Sequence, residues 1–143
     1  MPLVFHNQHL DDYILKELDL EDRPKSNGNW KKMVDRFKDV KGEVSIGLVG
    51  KYVSLHDAYL SVTQALTDAG CENGVKVNIK WLNSEEIEKD SRILKGLDGI
   101  IVPGGFGSRG TEGMIMTSKY ARENNVPYFG ICYGMQIALI DIA

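Results

Sequence analysis

From residue 43 onward, short apolar segments alternate with longer segments whose apolar residues recur at helical spacing. Four segments have strand patterns: residues 44–49, 75–81, 98–102 and 127–131. The second, VKVNIKW, alternates as a strand with one polar face does. The third, DGIIV, is an unbroken run typical of a strand covered on both faces. Strands connected through helices run parallel, so the pattern predicts an α/β three-layer sandwich around a parallel sheet.

Helical spacing marks the segments between these strands. We expect a helix from Asp57 that ends with Gly70 as its C-cap, which would leave Cys71 in a polar loop. A short polar helical stretch follows the second strand. Two further helices are predicted over residues 111–123 and 133–143.

The first forty residues have a different pattern. Apolar residues at helical spacing predict one helix over residues 10–20 and a second, short one around residues 30–37. Between them, residues 21–29 contain Pro24 and Gly28 without periodicity, as a linker does. Neither helix has a neighbouring partner in the sequence, so we expect both apolar stripes to pack on something else.

Composition narrows the class of protein. The 143 residues are 43% hydrophobic and 26% charged, with a net charge of −3. This balance is that of a globular protein, and it predicts neither a nucleic-acid partner nor a membrane segment. The two cysteines, Cys71 and Cys132, form no disulfide framework, so we expect a cytoplasmic protein. The histidines and cysteines have no close ligand spacing, so no metal site is expected within the chain.

The segment GICYG, residues 130–134, carries the strongest chemical signal. It has the glycine–x–nucleophile–x–glycine form of a nucleophile elbow, between a predicted buried strand and a helix. In such a turn the flanking glycines avoid a collision between Cβ and backbone. A helix N-terminus also favours a thiolate. Cys132 is therefore a candidate nucleophile, with a buried structural cysteine as the alternative.

The loop PGGFGSRG, residues 103–110, contains a formal G-x-G-x-x-G. A dinucleotide site would place this motif after the first strand, with an acidic residue about 20 positions on. Here it follows the third strand, and the next strand ends at the elbow. Its glycines could instead turn amide N–H groups toward an oxyanion beside Cys132. An oxyanion loop, a plain turn and a dinucleotide site remain the three interpretations.

A resemblance to a known family rests on these motifs. PGGFGSRGTEGMI, YARENNVPYFGICYGMQIALIDIA and IGLVGKYVSLHDAYLSVTQAL resemble the glutamine amidotransferase domain of the CTP synthase family. The resemblance implies a flavodoxin-like sandwich over residues 43–143. It also implies that residues 1–20 end a synthetase domain and that residues 21–42 form an interdomain linker and helix. The chain would then be a fragment of a longer enzyme.

The resemblance also implies roles for individual residues. Cys132 would be the catalytic nucleophile, and the N–H groups of Gly105 and Tyr133 would form the oxyanion hole. Phe106 and Arg109 would contact GTP, an allosteric activator. Lys51 and Tyr52, at the end of the first strand, also match a motif of the family. A solvated loop is an equally good interpretation of these two residues. The expected glutamine-binding residues are Gly105, Tyr133, Gly134, Met135 and Gln136.

The family aminates UTP to CTP in pyrimidine biosynthesis, using ATP, Mg²⁺ and ammonia released from glutamine, and we expect a homotetramer. Its histidine and glutamate would lie beyond Ala143 and its ATP site before residue 1. The fragment is therefore expected to be inactive alone, and we take His56 to be a solvated loop residue rather than a substitute base. The alternatives are a non-catalytic flavodoxin-like binding module and another elbow-cysteine amidase.

Overall fold

The computed structural model describes residues 2–20, 28–105 and 107–143. The chain divides into two compact units, Met1–Val40 and Lys41–Ala143. The first unit contains three helices: α1 (Pro2–Asn7), α2 (Leu10–Glu17) and α3 (Gly28–Lys38). None of them buries a residue, and Trp30 is 46% exposed. The apolar spacing predicted α2 and α3 but not α1. Of the predicted linker, residues 21–27 lie outside the described residues, and Gly28 and Asn29 belong to α3.

The second unit is a parallel sheet with helices packed on it, which confirms the predicted fold class. Its strands are β1 (Gly42–Gly50), β2 (Val75–Asn83), β3 (Gly99–Val102) and β4 (Tyr128–Gly130), in the order β2-β1-β3-β4. Its helices are α4 (Leu60–Glu72), α5 (Ser84–Lys89), α6 (Thr111–Glu123) and α7 (Tyr133–Ile142). Two 3₁₀ turns span His56–Tyr59 and Ser91–Leu94. None of the helices in the described parts of the chain is long and apolar enough to cross a membrane.

Alternate residues of each strand supply two hydrophobic clusters, one on each face of the sheet. We call the face that carries Val49 and Ile100 the α6 face. It is covered by α5, α6 and α7, and its buried cluster comprises Val49, Ile87, Leu94, Ile100, Val102, Met114, Ala121 and Ile137. We call the opposite face, which carries Leu48 and Ile101, the α4 face. Its buried cluster is smaller and comprises Leu48, Val53 and Tyr59.

The end of α4 corrects two predictions. The helix continues through Gly70 to Glu72, and the left-handed residue after it is Gly74, with φ 66°. Gly70 allows close packing instead, because a Cβ there would lie 2.6 Å from Cγ2 of Val77. Cys71 consequently lies in the last turn of α4 and is 5% exposed, not in a polar loop.

The start of α6 packs closely on the start of α5. A Cβ on Gly113 would collide with the carbonyl oxygen of Ser84, and one on Gly110 would collide with the Ser84 side chain. Gly110 also has φ 66°, where a side chain is strained. These two glycines therefore fix where the loop after β3 ends and α6 begins.

Candidate active site

Three loops meet along the carboxyl edge of the sheet. Lys51 and Tyr52 follow β1, the glycine loop (residues 103–110) follows β3, and Cys132 follows β4. The strand order reverses direction between β1 and β3. In parallel α/β sheets such a reversal opens a crevice beyond the strand ends, where ligands bind. The site is therefore built at the position that this topology favours.

Cys132 sits on a sharp turn between β4 and α7. It is exposed and is the N-cap of α7, with φ 54° and ψ −105°, a backbone conformation that strains an L residue. A Cβ on Gly130 would collide with the backbone of Gly134, and one on Gly134 would collide with the carbonyl oxygen of Val102. The chain thus forms the sharp turn between strand and helix that the glycine spacing predicts. The role of Cys132 as a nucleophile stays a prediction.

Two hydrogen bonds hold this turn against the sheet. The Ile131 N–H donates to the Val102 carbonyl at 2.9 Å, and the Tyr128 hydroxyl donates to the Gly134 carbonyl at 2.8 Å. Burial raises the pKa of Tyr128 above its ordinary value, so its hydroxyl stays a proton donor at neutral pH. The strained turn is therefore tied to β3 and β4 on either side of the cysteine.

The glycine loop approaches the thiol with its backbone. A Cβ on Gly104 would lie 3.6 Å from Cβ and 4.0 Å from Sγ of Cys132. Gly105 and Gly107 have φ values of 154° and 105°, which other L residues rarely adopt. The sequence motifs predicted a role for Gly105 but not for Gly104, although the paired glycines of PGG were a signal for both. Phe106 lies outside the described residues.

Lys51 lies beneath this loop and is not solvated. It is 5% exposed, and its Nζ donates a hydrogen bond to the Gly107 carbonyl. The same Nζ lies 5.0 Å from the centroid of the Tyr133 ring, in cation–π geometry. The Tyr133 hydroxyl is 3.2 Å from Oγ1 of Thr111, at the start of α6. Lys51 and Thr111 thus both contact the residue that follows Cys132.

Arg109 joins the loop to neighbouring elements. Its guanidinium donates to the Lys51 carbonyl at 3.3 Å and to Oε2 of Glu85 at 3.2 Å. It also lies 5.8 Å from the centroid of the Tyr52 ring. The side chain is 54% exposed, so it holds the outside of the loop while remaining accessible to solvent.

The other predicted residues are distributed around the elbow. Gly134 is buried, whereas Met135 and Gln136 are exposed in the first turn of α7. His56 stacks on Trp81, with ring centroids 4.1 Å apart. In the first unit, His6 and His9 hydrogen-bond to Asp11 and Asp12. Within residues 2–20, 28–105 and 107–143, no group of three or more His, Cys, Asp or Glu side chains could hold a metal ion.

Comparisons with known proteins identify the family to which the chain belongs. Residues 54–143 match the family "Glutamine amidotransferase class-I", and the chain belongs to that family. CTP synthases of Clostridium acetobutylicum, Clostridium kluyveri and Pyrococcus abyssi are 53%, 52% and 49% identical to it, over the whole of this chain. The chain spans 27% of the length of these curated relatives.

A solved structure supports the same assignment. It is the glutaminase domain of Trypanosoma brucei CTPS with bound acivicin, and it superimposes with a TM-score of 0.64 at 41% identity. The match covers 69% of this chain and 40% of the solved chain. The resemblance seen in the sequence motifs is confirmed: the whole chain aligns with CTP synthases, and residues 54–143 match the glutamine amidotransferase family.

Proposed function

We propose that residues 41–143 supply the nucleophile and the oxyanion-binding groups of a glutaminase site. The observation that carries the proposal is the position of Cys132. Its thiol is exposed on a strained turn at the N-terminus of α7, with Gly104 of the glycine loop in contact range. A binding module needs neither the strain nor the exposed thiol, and a strained backbone of this kind costs about 1–3 kcal/mol.

In the proposed reaction, the Cys132 thiolate attacks the side-chain amide carbon of glutamine. The C–S bond forms while the carbonyl electron pair moves onto oxygen. The amide N–H groups of Gly105 and Tyr133 stabilise this oxyanion. The N–H groups of a helix's first turn point out of its N-terminus, and Tyr133 is the first residue of α7. The intermediate collapses with loss of ammonia once its nitrogen is protonated, and water then hydrolyses the thioester to glutamate.

The remaining parts of the site divide between this chain and residues outside it. Gly105, Tyr133, Gly134, Met135 and Gln136 would contact glutamine. Proton transfer needs a general base. His6 and His9 belong to the first compact unit and not to the unit that contains Cys132, and His56 is stacked on Trp81. We therefore propose that residues outside this chain supply the base, and that the chain alone does not turn over glutamine.

The wider activity that we propose is that of the CTP synthase relatives. Ammonia from this site would aminate UTP to CTP with ATP, in the cytoplasm and as a homotetramer. Phe106 and Arg109 would contact GTP, which would activate the enzyme. The described residues do not fit a Mg²⁺ site, so we derive no step through a metal on this chain.

Covalent labelling tests the nucleophile. We expect a chloroketone analogue of glutamine, 6-chloro-5-oxonorleucine, to lose chloride to the Cys132 thiolate and add one label there, as read by peptide mass spectrometry, and excess glutamine to slow the labelling. Cys71→Ala is the matched control, because Cys71 is buried in α4. Label on Cys71, or unchanged labelling in Cys132→Ala, would contradict the proposal.

A chimera tests the wider activity. These 143 residues would replace the matching region of the Clostridium acetobutylicum CTP synthase, which is 53% identical. We expect CTP formation with either glutamine or free ammonia. Cys132→Ala should abolish only the glutamine-dependent reaction, because free ammonia bypasses the thiol. Loss of both activities in a folded variant would show that Cys132 is structural or couples the two reactions.

A further inference from the structure

We propose that Lys51 is a positioning residue for the oxyanion site. It holds the glycine loop and Tyr133 in one fixed arrangement, so that the amide N–H groups of Gly105 and Tyr133 converge on one oxygen. This inference rests on the proposed glutaminase function and adds to it Lys51, which follows β1 and lies outside the two motifs that carry the chemistry.

The burial of Lys51 is the first observation. Lysine is seldom buried, because removing its ammonium group from water is costly. Here the side chain is 5% exposed, and its contacts are with a backbone carbonyl, of Gly107, and an aromatic ring, of Tyr133. Because neither partner carries a negative charge that would balance the ammonium group, this burial is expected to add little to the stability of the fold. It does place one cation in contact with both sides of the proposed oxyanion site.

The stem of the same side chain lies beside the loop at its proposed donor. A Cβ on Gly105 would lie 4.0 Å from Cδ of Lys51 and 3.7 Å from Cε2 of Tyr52. These two residues, which follow β1, therefore occupy the space toward which a side chain at position 105 would point. Lys51 thus lies next to the loop at Gly105 and hydrogen-bonds to it at Gly107.

Flanking groups fix Lys51 and Tyr133 in turn. Arg109 donates to the Lys51 carbonyl and pairs with Glu85, which anchors the Lys51 backbone to the loop and to α5. Oγ1 of Thr111 hydrogen-bonds with the Tyr133 hydroxyl at 3.2 Å, and the Lys51 ammonium group lies over the Tyr133 ring. Tyr133 is therefore held at its ring face by Lys51 and at its hydroxyl by α6.

The attack of the Cys132 thiolate on a carbonyl forms an oxyanion, and this determines which reactions should depend on Lys51. A positioned donor matters only when negative charge develops on the oxygen that it faces, and removing one donor outright typically costs about 10²–10³ in rate. Lys51 acts through the donors, so the expected loss is smaller, roughly 10-fold. A reaction of the Cys132 thiolate that forms no oxyanion should not depend on Lys51.

The test compares two reactions of the 143-residue chain. In the first, the γ-p-nitrophenyl ester of glutamate acylates Cys132. The thiolate attacks the ester carbonyl, an oxyanion forms, and its collapse expels p-nitrophenolate, which needs no proton. In the second, iodoacetamide alkylates the thiolate by displacement of iodide, without an oxyanion. The variants are Lys51→Met, Lys51→Arg and Thr111→Val, with Lys95→Met as a control at an exposed lysine.

We expect Lys51→Met to slow the p-nitrophenolate burst at least about 10-fold while alkylation stays within about twofold. Lys51→Arg should recover part of the rate, Thr111→Val should lose a smaller part, and Lys95→Met should change neither reaction. If circular dichroism shows that Lys51→Met does not fold, Lys51→Arg and Thr111→Val test the inference instead. The same quantity is compared, the loss in burst rate relative to the loss in alkylation rate.

Two outcomes overturn the inference alone: an unchanged burst rate in Lys51→Met, or an equal loss in both reactions. A burst that is absent from the unaltered chain, or that does not label Cys132, would overturn the proposed function and this inference with it. That failure is visible before any variant is compared.

Discussion

The two faces of the sheet differ in how completely they are covered. On the α6 face, residues of three helices join the strands in one buried cluster, and Ile100 is 2% exposed. On the α4 face, Phe129 of β4 is 62% exposed and lines an apolar groove of about 400 Å³ with residues of α4. Residues of the neighbouring strands β3 and β4 that lie on opposite faces therefore have very different surroundings.

The candidate site depends on the well-covered face. The elbow glycine Gly134 packs on Val102, and α6 begins where Gly113 meets Ser84. Dense packing transmits small displacements, because few voids exist to absorb them. We therefore expect substitutions on the α6 face to disturb both the fold and the site, and substitutions on the open part of the α4 face to disturb neither.

The largest expected difference comes from a pair of neighbours in β3. Ile100→Ala opens a cavity in the buried cluster and should lower the free energy of unfolding by about 2–5 kcal/mol. Ile101→Ala, on the partly buried opposite side, should lower it by less than about 2 kcal/mol. Urea titrations followed by circular dichroism measure both. Equal losses would show that the two faces contribute alike.

A smaller effect is expected where α7 is joined to α6. Asp141 accepts hydrogen bonds from Arg122 and Ser118, and its side chain is 4% exposed. The Arg122 guanidinium lowers the pKa of Asp141 below its ordinary value of 3.8. A carboxyl whose pKa is lower when folded stabilises the fold above its unfolded pKa. That stabilisation is lost as the pH falls through the folded value.

Asp141→Asn should therefore cost about 1 kcal/mol at pH 7, and the difference from the unaltered chain should shrink below about pH 4. Thermal unfolding across a pH series measures it. Glu43→Gln is the control, because the hydrogen bonds from Asn78 and Lys76 also lower the pKa of Glu43, but its side chain is 61% exposed. A pH-independent loss in Asp141→Asn would show that packing, and not charge, is responsible.

The smallest change in stability is expected on the open part of the α4 face. Phe129→Thr removes an exposed ring and keeps a residue that favours strands, so the free energy of unfolding should change by less than about 0.5 kcal/mol. Binding of the hydrophobic dye ANS should nevertheless fall, because the ring lines the groove. A loss comparable to that of Ile100→Ala would mean that this face is covered in solution.

Much of the fold was predictable because hydrophobic periodicity is a local signal. Helix α6 has the predicted bounds, since Gly110 and the polar end at Glu123 mark them in the sequence. The end of α4 was predicted wrongly, because a glycine near a helix end can serve as a cap or as a packing contact. Only the approach of Val77 to Gly70 distinguishes the two.

The site was predictable where a motif specifies backbone shape. The two glycines around Cys132 predicted the sharp turn. The burial of Lys51 could not be predicted, because a lysine after a strand is usually solvated. Its surroundings come from residues more than 50 positions away, Gly107 and Tyr133. Long-range contacts of this kind leave no periodic signal in the sequence.

The unequal exposure of the two cysteines has a practical consequence for handling the protein. Cys132 is open to solvent, whereas Cys71 is 5% exposed. A thiol reagent such as Ellman's should therefore count one cysteine in the native protein and two after denaturation. Exposed thiols are also oxidised more readily by air, through sulfenic acid to irreversible forms. The native count per chain would then give the fraction of a stored sample that still carries an intact Cys132 thiol, and the denatured count would exceed it by one.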